Sequence, residues 1–229
     1  MPMLRAIRTL NNLEAGTLSG SALQTLLADT GRLGDFVSLV TQRGHARRLA
    51  ASSTAMTAVA ASSTAMAAVI ASPTATAVVA VSSTAMTAVA ASSTAMAAVA
   101  ASSTALAAIG ANNTALAAVF ASSTARVALY DHATALATLT AIANVQTYLK
   151  TIDTEHQTAS TAHTSANTGR TLLVTQWITS VSFSYAGASA DTYITASTVA
   201  VDRFAKVTNL THRTGNASYA SYVTYIDMD

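Results

Sequence analysis

The sequence has few charged residues, few aromatic residues and no cysteine. Charged residues make up 10% of its 229 residues and aromatic residues 5%, whereas about a quarter of an average soluble domain is charged. The absence of cysteine excludes disulfide bonds and thiolate chemistry. The net charge of only +2 provides no broad basic surface, so the composition argues against a nucleic-acid partner.

Long apolar runs are also missing, although 51% of the residues are hydrophobic. No run reaches the roughly 18 residues that a membrane-spanning helix needs, because Ser-Ser-Thr recurs about every ten residues. We therefore expect no membrane span. The start, MPMLRAIRTLNN, lacks the apolar stretch and small-residue cleavage site of a secretory signal, so we expect synthesis in a cytoplasm.

A ten-residue phrase of alanine, serine, threonine and methionine fills residues 51–140 instead. In each of the nine blocks, which we call decads, the fourth residue is Thr and the fifth is Ala. The sixth is mostly Met or Leu, and the ninth is Val, Ile or Leu. No ionisable side chain lies between Arg48 and Arg126. Such a pattern is typical of stacked repeats, in which each unit packs on its neighbours and the Met and Leu side chains form the core.

The decads favour short helices over one long helix. Ten residues at 100° each leave a remainder of about 80°, so the large side chains would spiral around a straight helix. Ser72 before Pro73 is typical of a helix start, and Gly110 of a helix end. We predict a two-turn helix at positions 3 to 9 of each decad, followed by a sharp turn. The alternative is a β-solenoid with ten-residue rungs, which Ser, Thr and Val favour and alanine disfavours.

The flanking segments make the predicted fold class α+β. Residues 1–50 contain nine charged residues and predict an N-terminal helical region. Residues 141–170 predict a helix followed by a polar linker. Residues 171–229 carry eight of the twelve aromatic residues in alternating patterns, which predict a small C-terminal antiparallel β domain. Sixty residues give a marginal core, so oligomerisation through this domain is expected.

Candidate groups for catalysis or metal binding are sparse. Asp153, Glu155, His156 and His163 form the best polar cluster, since carboxylates near histidine can bind a metal or transfer protons. An exposed helix end and linker account for the same residues more simply. We therefore predict no catalytic residue, no metal site and no cofactor.

A basic step precedes the decads. Arg43, Arg47 and Arg48, with His45, lie within six residues. They can contact an acidic surface of a neighbouring protein, and the alternative is a solvated helix face.

Aromatic residues of the C-terminal segment are candidate contacts with a glycan or with another subunit. Trp177, Tyr219, Tyr222 and Tyr225 lie in its alternating stretches. Aromatic rings stack on sugar rings, but they also form ordinary cores and subunit interfaces.

The segment ALQTLLADTGRLGDFVSLVTQRGHARRLAASSTAMTAVAASSTAMAAV resembles tail and virion-associated structural proteins of bacteriophages. These combine a short helical head, an RGxARR-like step and tandem ASSTAM-type decads. The resemblance covers about residues 20–140 and implies a component of the virus particle, with location in the virion. The decads depart from the pattern at Thr76, at Arg126 and at the pair Asp131 and His132.

Together these features predict a non-enzymatic tail fibre or appendage subunit, made in the host cytoplasm. Residues 1–50 would contact other virion proteins, the decads would form a spacer, and residues 171–229 would form a β tip or oligomerisation domain. We expect a homo-oligomer, with a trimer favoured, because an alanine-rich core and a marginal β domain would both gain apolar contact from a second or third chain. One alternative is a receptor- or glycan-binding protein for host attachment. Another is a glycan depolymerase that uses Asp153, Glu155 or Asp191.

Overall fold

The structure, a computed structural model, describes the backbone of residues 2–152, 155–159, 165–179, 183–187, 190–194, 199–212 and 221–228. It describes most side chains of the first range, together with Met228. The chain divides into two compact units, Met1–Ile142 and Ala143–Asp229, which we describe separately.

Fourteen helices occupy residues 2–152. The helices are α1 (Pro2–Glu14), α2 (Gly20–Leu26), α3 (Thr30–Val40), α4 (Arg43–Ala51), α5 (Ser53–Ala60), α6 (Ser63–Ala71), α7 (Pro73–Ala80), α8 (Ser83–Ala90), α9 (Ser93–Ala100), α10 (Ser103–Gly110), α11 (Asn113–Ala121), α12 (Ser123–Asp131), α13 (Ala133–Thr140) and α14 (Ala143–Ile152). The last of them belongs to the second unit.

Each decad forms one helix because its second residue caps the helix that follows. In the decad of α9, Ser92 has an extended backbone, and its Oγ accepts a hydrogen bond from the N–H of Ala95 at 3.2 Å. This bond satisfies one of the four N–H groups that a helix start leaves without a partner. The extended residue also turns the chain: the pairs α5–α6, α7–α8 and α9–α10 are bent by 98° to 104°. The decads therefore form a chain of short helices joined at sharp corners.

Three helices complete one turn of a solenoid. Each helix packs against the helix three places further on: α2 on α5, α3 on α6, α4 on α7, and so on to α10 on α13. One turn therefore takes thirty residues in the decads, and the stacked helices form three side walls. Helices of two turns are not stable alone, so this stacking is what holds each one in place.

The interior of the solenoid is lined by positions 5, 6 and 9 of the decads. Met56, Met86 and Met96 at position 6 are at most 1% exposed, and the alanines at position 5 are buried beside them. Alanine has no side chain beyond Cβ, so neighbouring helix backbones can approach closely around the methionine or leucine that most decads carry at position 6. Each chain thus closes the core of its own decads.

The cap serines also connect successive turns at the corners of the solenoid. Ser82 Oγ donates to the carbonyl of Ala50 at 2.7 Å, and Ser92 Oγ donates to that of Ala60 at 2.7 Å. Ser122 Oγ makes the same bond to the carbonyl of Ala90 at 2.6 Å. One hydroxyl therefore caps its own helix and holds the corner one turn earlier.

Replacing Ser92 with alanine is expected to lower the free energy of unfolding by about 1–2 kcal/mol. The variant loses the acceptor for the N–H of Ala95 and the donor to the carbonyl of Ala60. Urea unfolding followed by circular dichroism measures the change. The matched control is Ser93→Ala, because Ser93 is exposed and its loss should change stability by about 0.5 kcal/mol or less. Equal losses in both variants would show that the corner bond contributes nothing.

Residues 1–50 form the first turn and the end cap of the same solenoid. Helix α1 packs on α3 and α5, and its Leu10 and Leu13 are fully buried. The side chain of Gln24 on α2 donates to Thr64 Oγ1 at 2.7 Å and accepts from Ser62 Oγ at 2.7 Å. The N-terminal helices and the decads therefore share one core.

The described residues of the second unit contain six strands. They are β1 (Glu155–Ala159), β2 (Ser165–Thr179), β3 (Phe183–Gly187), β4 (Ala190–Ile194), β5 (Val199–His212) and β6 (Ser221–Asp227). All pairings are antiparallel, in a four-stranded order β1-β6-β2-β5 and a two-stranded β3-β4 ribbon. The register of β2 shifts between Val174 and Gln176 against both of its neighbours.

The predicted α+β class is wrong for the part of the chain whose core the structure describes. Residues 2–152 are all-α and contain no strand, so the β-solenoid alternative for the decads is wrong as well. A packed β domain at residues 171–229 is not seen: the structure describes only strand backbone there, and the first strand begins at Glu155, within the predicted helix-and-linker segment.

The helical body is larger than the decads because each helix of this solenoid needs only an N-cap residue and a few small or apolar residues. Ser19, Asp29 and Gln42 occupy the N-cap positions of α2, α3 and α4, which extends the helical body well before the first decad. Strand-like alternation in the last residues indicates local extended structure, but it does not establish a separate core.

Candidate functional site

The basic step before the decads separates into two parts in the structure. The guanidinium of Arg48 forms an ion pair with Glu14 and donates a hydrogen bond to Asn11 Oδ1 at 2.7 Å. Both partners belong to α1, so Arg48 fastens the end cap to α4. Arg48 therefore has a structural role in this unit, and its guanidinium group is already bound to Glu14 and Asn11.

Arg43 and Arg47 lie one helical turn apart on α4, and both are exposed. The described residues form two ion pairs, Arg5 with Asp35 and Arg48 with Glu14; neither includes Arg43 or Arg47. Residues four apart on a helix are neighbours on one face. The two guanidinium groups therefore present adjacent positive charges to the surroundings.

These two arginines border an open groove of about 500 Å³ between α4 and α7. The groove is lined chiefly by Arg43, Arg47, Ala50, Ala77, Val78 and Val81. Its floor is apolar, and Val81 is 63% exposed there, the most exposed large hydrophobic residue of the decads that the structure describes. A positive rim over an apolar floor suits a ligand that carries carboxylates beside an apolar side chain.

The valines of the groove are departures from the repeat. Position 8 is alanine in most decads but Val78 here, and position 1 is alanine in most decads but Val81 here. Val78 is only 7% exposed and lies mostly within the packed wall, whereas Val81 is largely exposed at the corner between α7 and α8. These two valines thus add larger apolar side chains to the wall of the groove that Arg43 and Arg47 border.

No ionisable side chain between residues 48 and 126 opposes the charge of this groove. An approaching anion therefore meets the two guanidinium groups without competition from carboxylates of the adjacent α5 to α11 surface. Charges farther off than about 10 Å are screened at ordinary salt, so the local absence is what decides the attraction.

Three of the four aromatic candidates fall in two neighbouring strands of the second unit. Trp177 in β2 is paired with Val223 of β6, while Tyr222 and Tyr225 of β6 are paired with Ile178 and Val174. Tyr219 lies outside the described residues. Their contact role, with a glycan or another subunit, stays a prediction.

The candidate polar cluster lies at the start of the second unit. Glu155 and His156 are in β1, whereas Asp153 and His163 lie outside the described residues. Asp191, the other depolymerase candidate, is in β4. Among the residues that the structure describes, no three His, Asp or Glu side chains lie close enough together to hold a metal ion.

Tyr148 on α14 is an ionisable residue whose surroundings shift its pKa. Burial of the Tyr148 phenol raises its pKa above the usual value of 10.0, because burial disfavours the phenolate. This shift reflects packing of α14.

Within the described ranges, no helix by itself has the length and apolar composition needed to cross a membrane. Three bent pairs, α5–α6, α7–α8 and α9–α10, meet the length and composition requirement only when their two helices are taken together.

Sequence reasoning identified the basic step but missed the groove. The sequence does show the departures from alanine at Val78 and Val81. Their position beside Arg43 and Arg47 becomes clear only when α4 is known to stack on α7. The same holds for Gln24, whose contacts with Ser62 and Thr64 span about forty residues.

The fold defines an α-solenoid of ten-residue helical units, three to a turn, with an arginine-bordered groove near its N-terminal end. Comparison with models of known protein families gave no match, and comparison with curated protein sequences gave none either.

Proposed function

We propose that the chain is a non-enzymatic structural component of a bacteriophage virion, a tail fibre or appendage subunit, in which the solenoid is a rigid spacer. The observation that supports this most directly is the repeated stacking of each helix on the helix three places along. A body built this way grows in one dimension, and its length follows the number of repeats.

The surface of the decads also suits a spacer. Among the described side chains of the decads, those at positions 1, 3 and 7 are exposed, and these positions carry mainly alanine, serine and threonine. Short, uncharged side chains lose little conformational entropy and offer few groups for chemistry. Function is then carried by the ends, of which the N-terminal one bears Arg43 and Arg47.

A spacer of this kind sets both a distance and an angle. Because three helices complete one turn, removal of thirty residues removes a whole turn and preserves the direction of the following wall. Stacked helices lie about 8–10 Å apart, so each turn contributes about that much to the length. Removal of a single decad would instead rotate everything beyond it by about a third of a turn.

Deleting residues 91–120 tests the spacer. Ala90 is then joined to Ala121, and Ser122 takes the place of Ser92, which keeps the capping pattern intact. We expect a folded protein whose longest dimension, measured by small-angle X-ray scattering, falls by about 8–10 Å. An unchanged longest dimension would contradict a linear solenoid.

Location in a virion is tested separately on virus particles. Particles released from the cell that encodes the chain are purified on a density gradient and analysed by mass spectrometry. We expect peptides of the chain to migrate with the particles, and antibodies against residues 51–140 to label an appendage in electron micrographs. A chain found only among free proteins of the lysate would overturn the proposal.

A further inference from the structure

We propose that the groove between α4 and α7 binds an acidic helical segment of another protein, with two carboxylates on Arg43 and Arg47 and an apolar side chain on Val81. The inference deepens the virion-anchor role and depends on the proposed function only for the source of that segment. The recognition chemistry itself follows from the residues of the groove.

The spacing of the charges selects the form of the partner. Arg43 and Arg47 are four residues apart on α4, which places their Cβ atoms about 5–6 Å from each other. Glutamates four residues apart on a partner helix have the same spacing. Arginine binds carboxylate through two parallel N–H donors, so matched spacing allows both pairs to form at once.

The groove floor selects against a purely polyanionic partner. Ala77, Val78 and Val81 offer apolar surface between the arginines and the α7–α8 corner. A nucleic acid would use a longer track of basic residues, and the next ionisable residue along the chain after Arg48 is Arg126. An apolar side chain one helical turn beyond the two carboxylates, toward the α7–α8 corner, uses both features of the groove.

Both arginines are available for such a contact. They are exposed, and neither has a carboxylate partner among the described residues. Arg48, by contrast, is held by Glu14 and Asn11. The structure thus assigns the contact to two of the three arginines of the basic step and excludes the third.

The test measures binding of a short, acetylated and amidated helical peptide to the full-length chain by fluorescence anisotropy. The peptide carries glutamates four residues apart with a leucine one helical turn beyond the second glutamate, and a second peptide has glutamine in place of glutamate. We expect the Arg43→Ala/Arg47→Ala variant to bind the acidic peptide about tenfold more weakly, because each exposed pair contributes a factor of roughly two to five. Val81→Ala is expected to weaken binding about fivefold by removing apolar contact.

The matched control is Arg8→Ala/Arg32→Ala, which removes the same charge from other parts of the surface. It should stay within about twofold of the unchanged chain, and circular dichroism should show the same helix content in every variant. An equal loss in the control would mean that net charge alone attracts the peptide. Absence of binding to the unchanged chain, equal binding of the glutamine peptide, or tighter binding of a single-stranded oligonucleotide would each overturn the inference. The assay contains no virus particles, so its failure is distinct from failure of the virion proposal.

Discussion

Replacement of Met96 with alanine is expected to lower the free energy of unfolding by about 2–5 kcal/mol. Met96 is fully buried, and it is the largest side chain that its decad contributes to the interior. Its neighbours at position 5 are alanines, which have no rotamers with which to fill the space. The cavity therefore remains, and its cost adds to the lost transfer free energy of the methionine.

The matched control removes the same side chain from the surface. Met3 on α1 is 36% exposed, so Met3→Ala should change stability by about 0.5 kcal/mol or less. Both variants are measured by urea unfolding with far-ultraviolet circular dichroism. If Met96→Ala lowered the free energy of unfolding no more than Met3→Ala, the side chains at position 6 would not be essential to the core.

The local elements of this fold are readable from the sequence because they depend on nearby residues. Serine at position 2 predicts a cap, and Pro73 after Ser72 predicts the first helical residue, as α7 shows. The number of helices in a turn depends on corner angles near 100°, which no residue type specifies. The stacking of α4 on α7, and with it the groove, could therefore not be predicted.

The oligomeric state also depends on packing between helices, which the sequence does not specify. The sequence predicts a trimer partly because alanine-rich decads have little apolar side chain to bury. The structure shows Met56, Met86 and Met96 buried within one chain, so the decads do not need a second chain to close their core. The homotrimer stays a prediction, and its remaining argument is the small size of the C-terminal segment.

Two departures from the repeat at position 6 form hydrogen bonds to nearby backbone carbonyls. Thr76 stands where most decads have Met or Leu, and its hydroxyl donates to the carbonyls of Val69 and Ile70 at 3.1 Å and 3.3 Å. Arg126 occupies the same position five decads later, and its Nη1 donates to the carbonyl of Phe120 at 2.8 Å. The sequence shows that both residues are exceptions to the repeat, but it does not show which carbonyl groups accept their hydrogen bonds.

Gly20→Ala and Gly34→Ala are expected to change stability in opposite directions. A Cβ on Gly20 would lie 2.4 Å from the Cβ of Ala61 and 3.0 Å from the carbonyl oxygen of Ala58. Neither neighbour can rotate away, because one is an alanine and the other is backbone. The helices must separate, which costs about 1–3 kcal/mol. A Cβ on Gly34 meets nothing within 4 Å, so alanine there should stabilise α3 by about 0.5–1 kcal/mol.

This pair of substitutions tests whether the N-terminal residues are part of the solenoid. The clash at Gly20 exists only if α2 stacks on α5 as the later helices stack on one another. If both variants were stabilised equally when measured by urea unfolding, α2 would not lie on α5, and residues 1–50 would be an independent module. If Gly20→Ala alone destabilises, the first turn and the decads unfold as one body, and a partner held at Arg43 and Arg47 would be joined rigidly to the spacer.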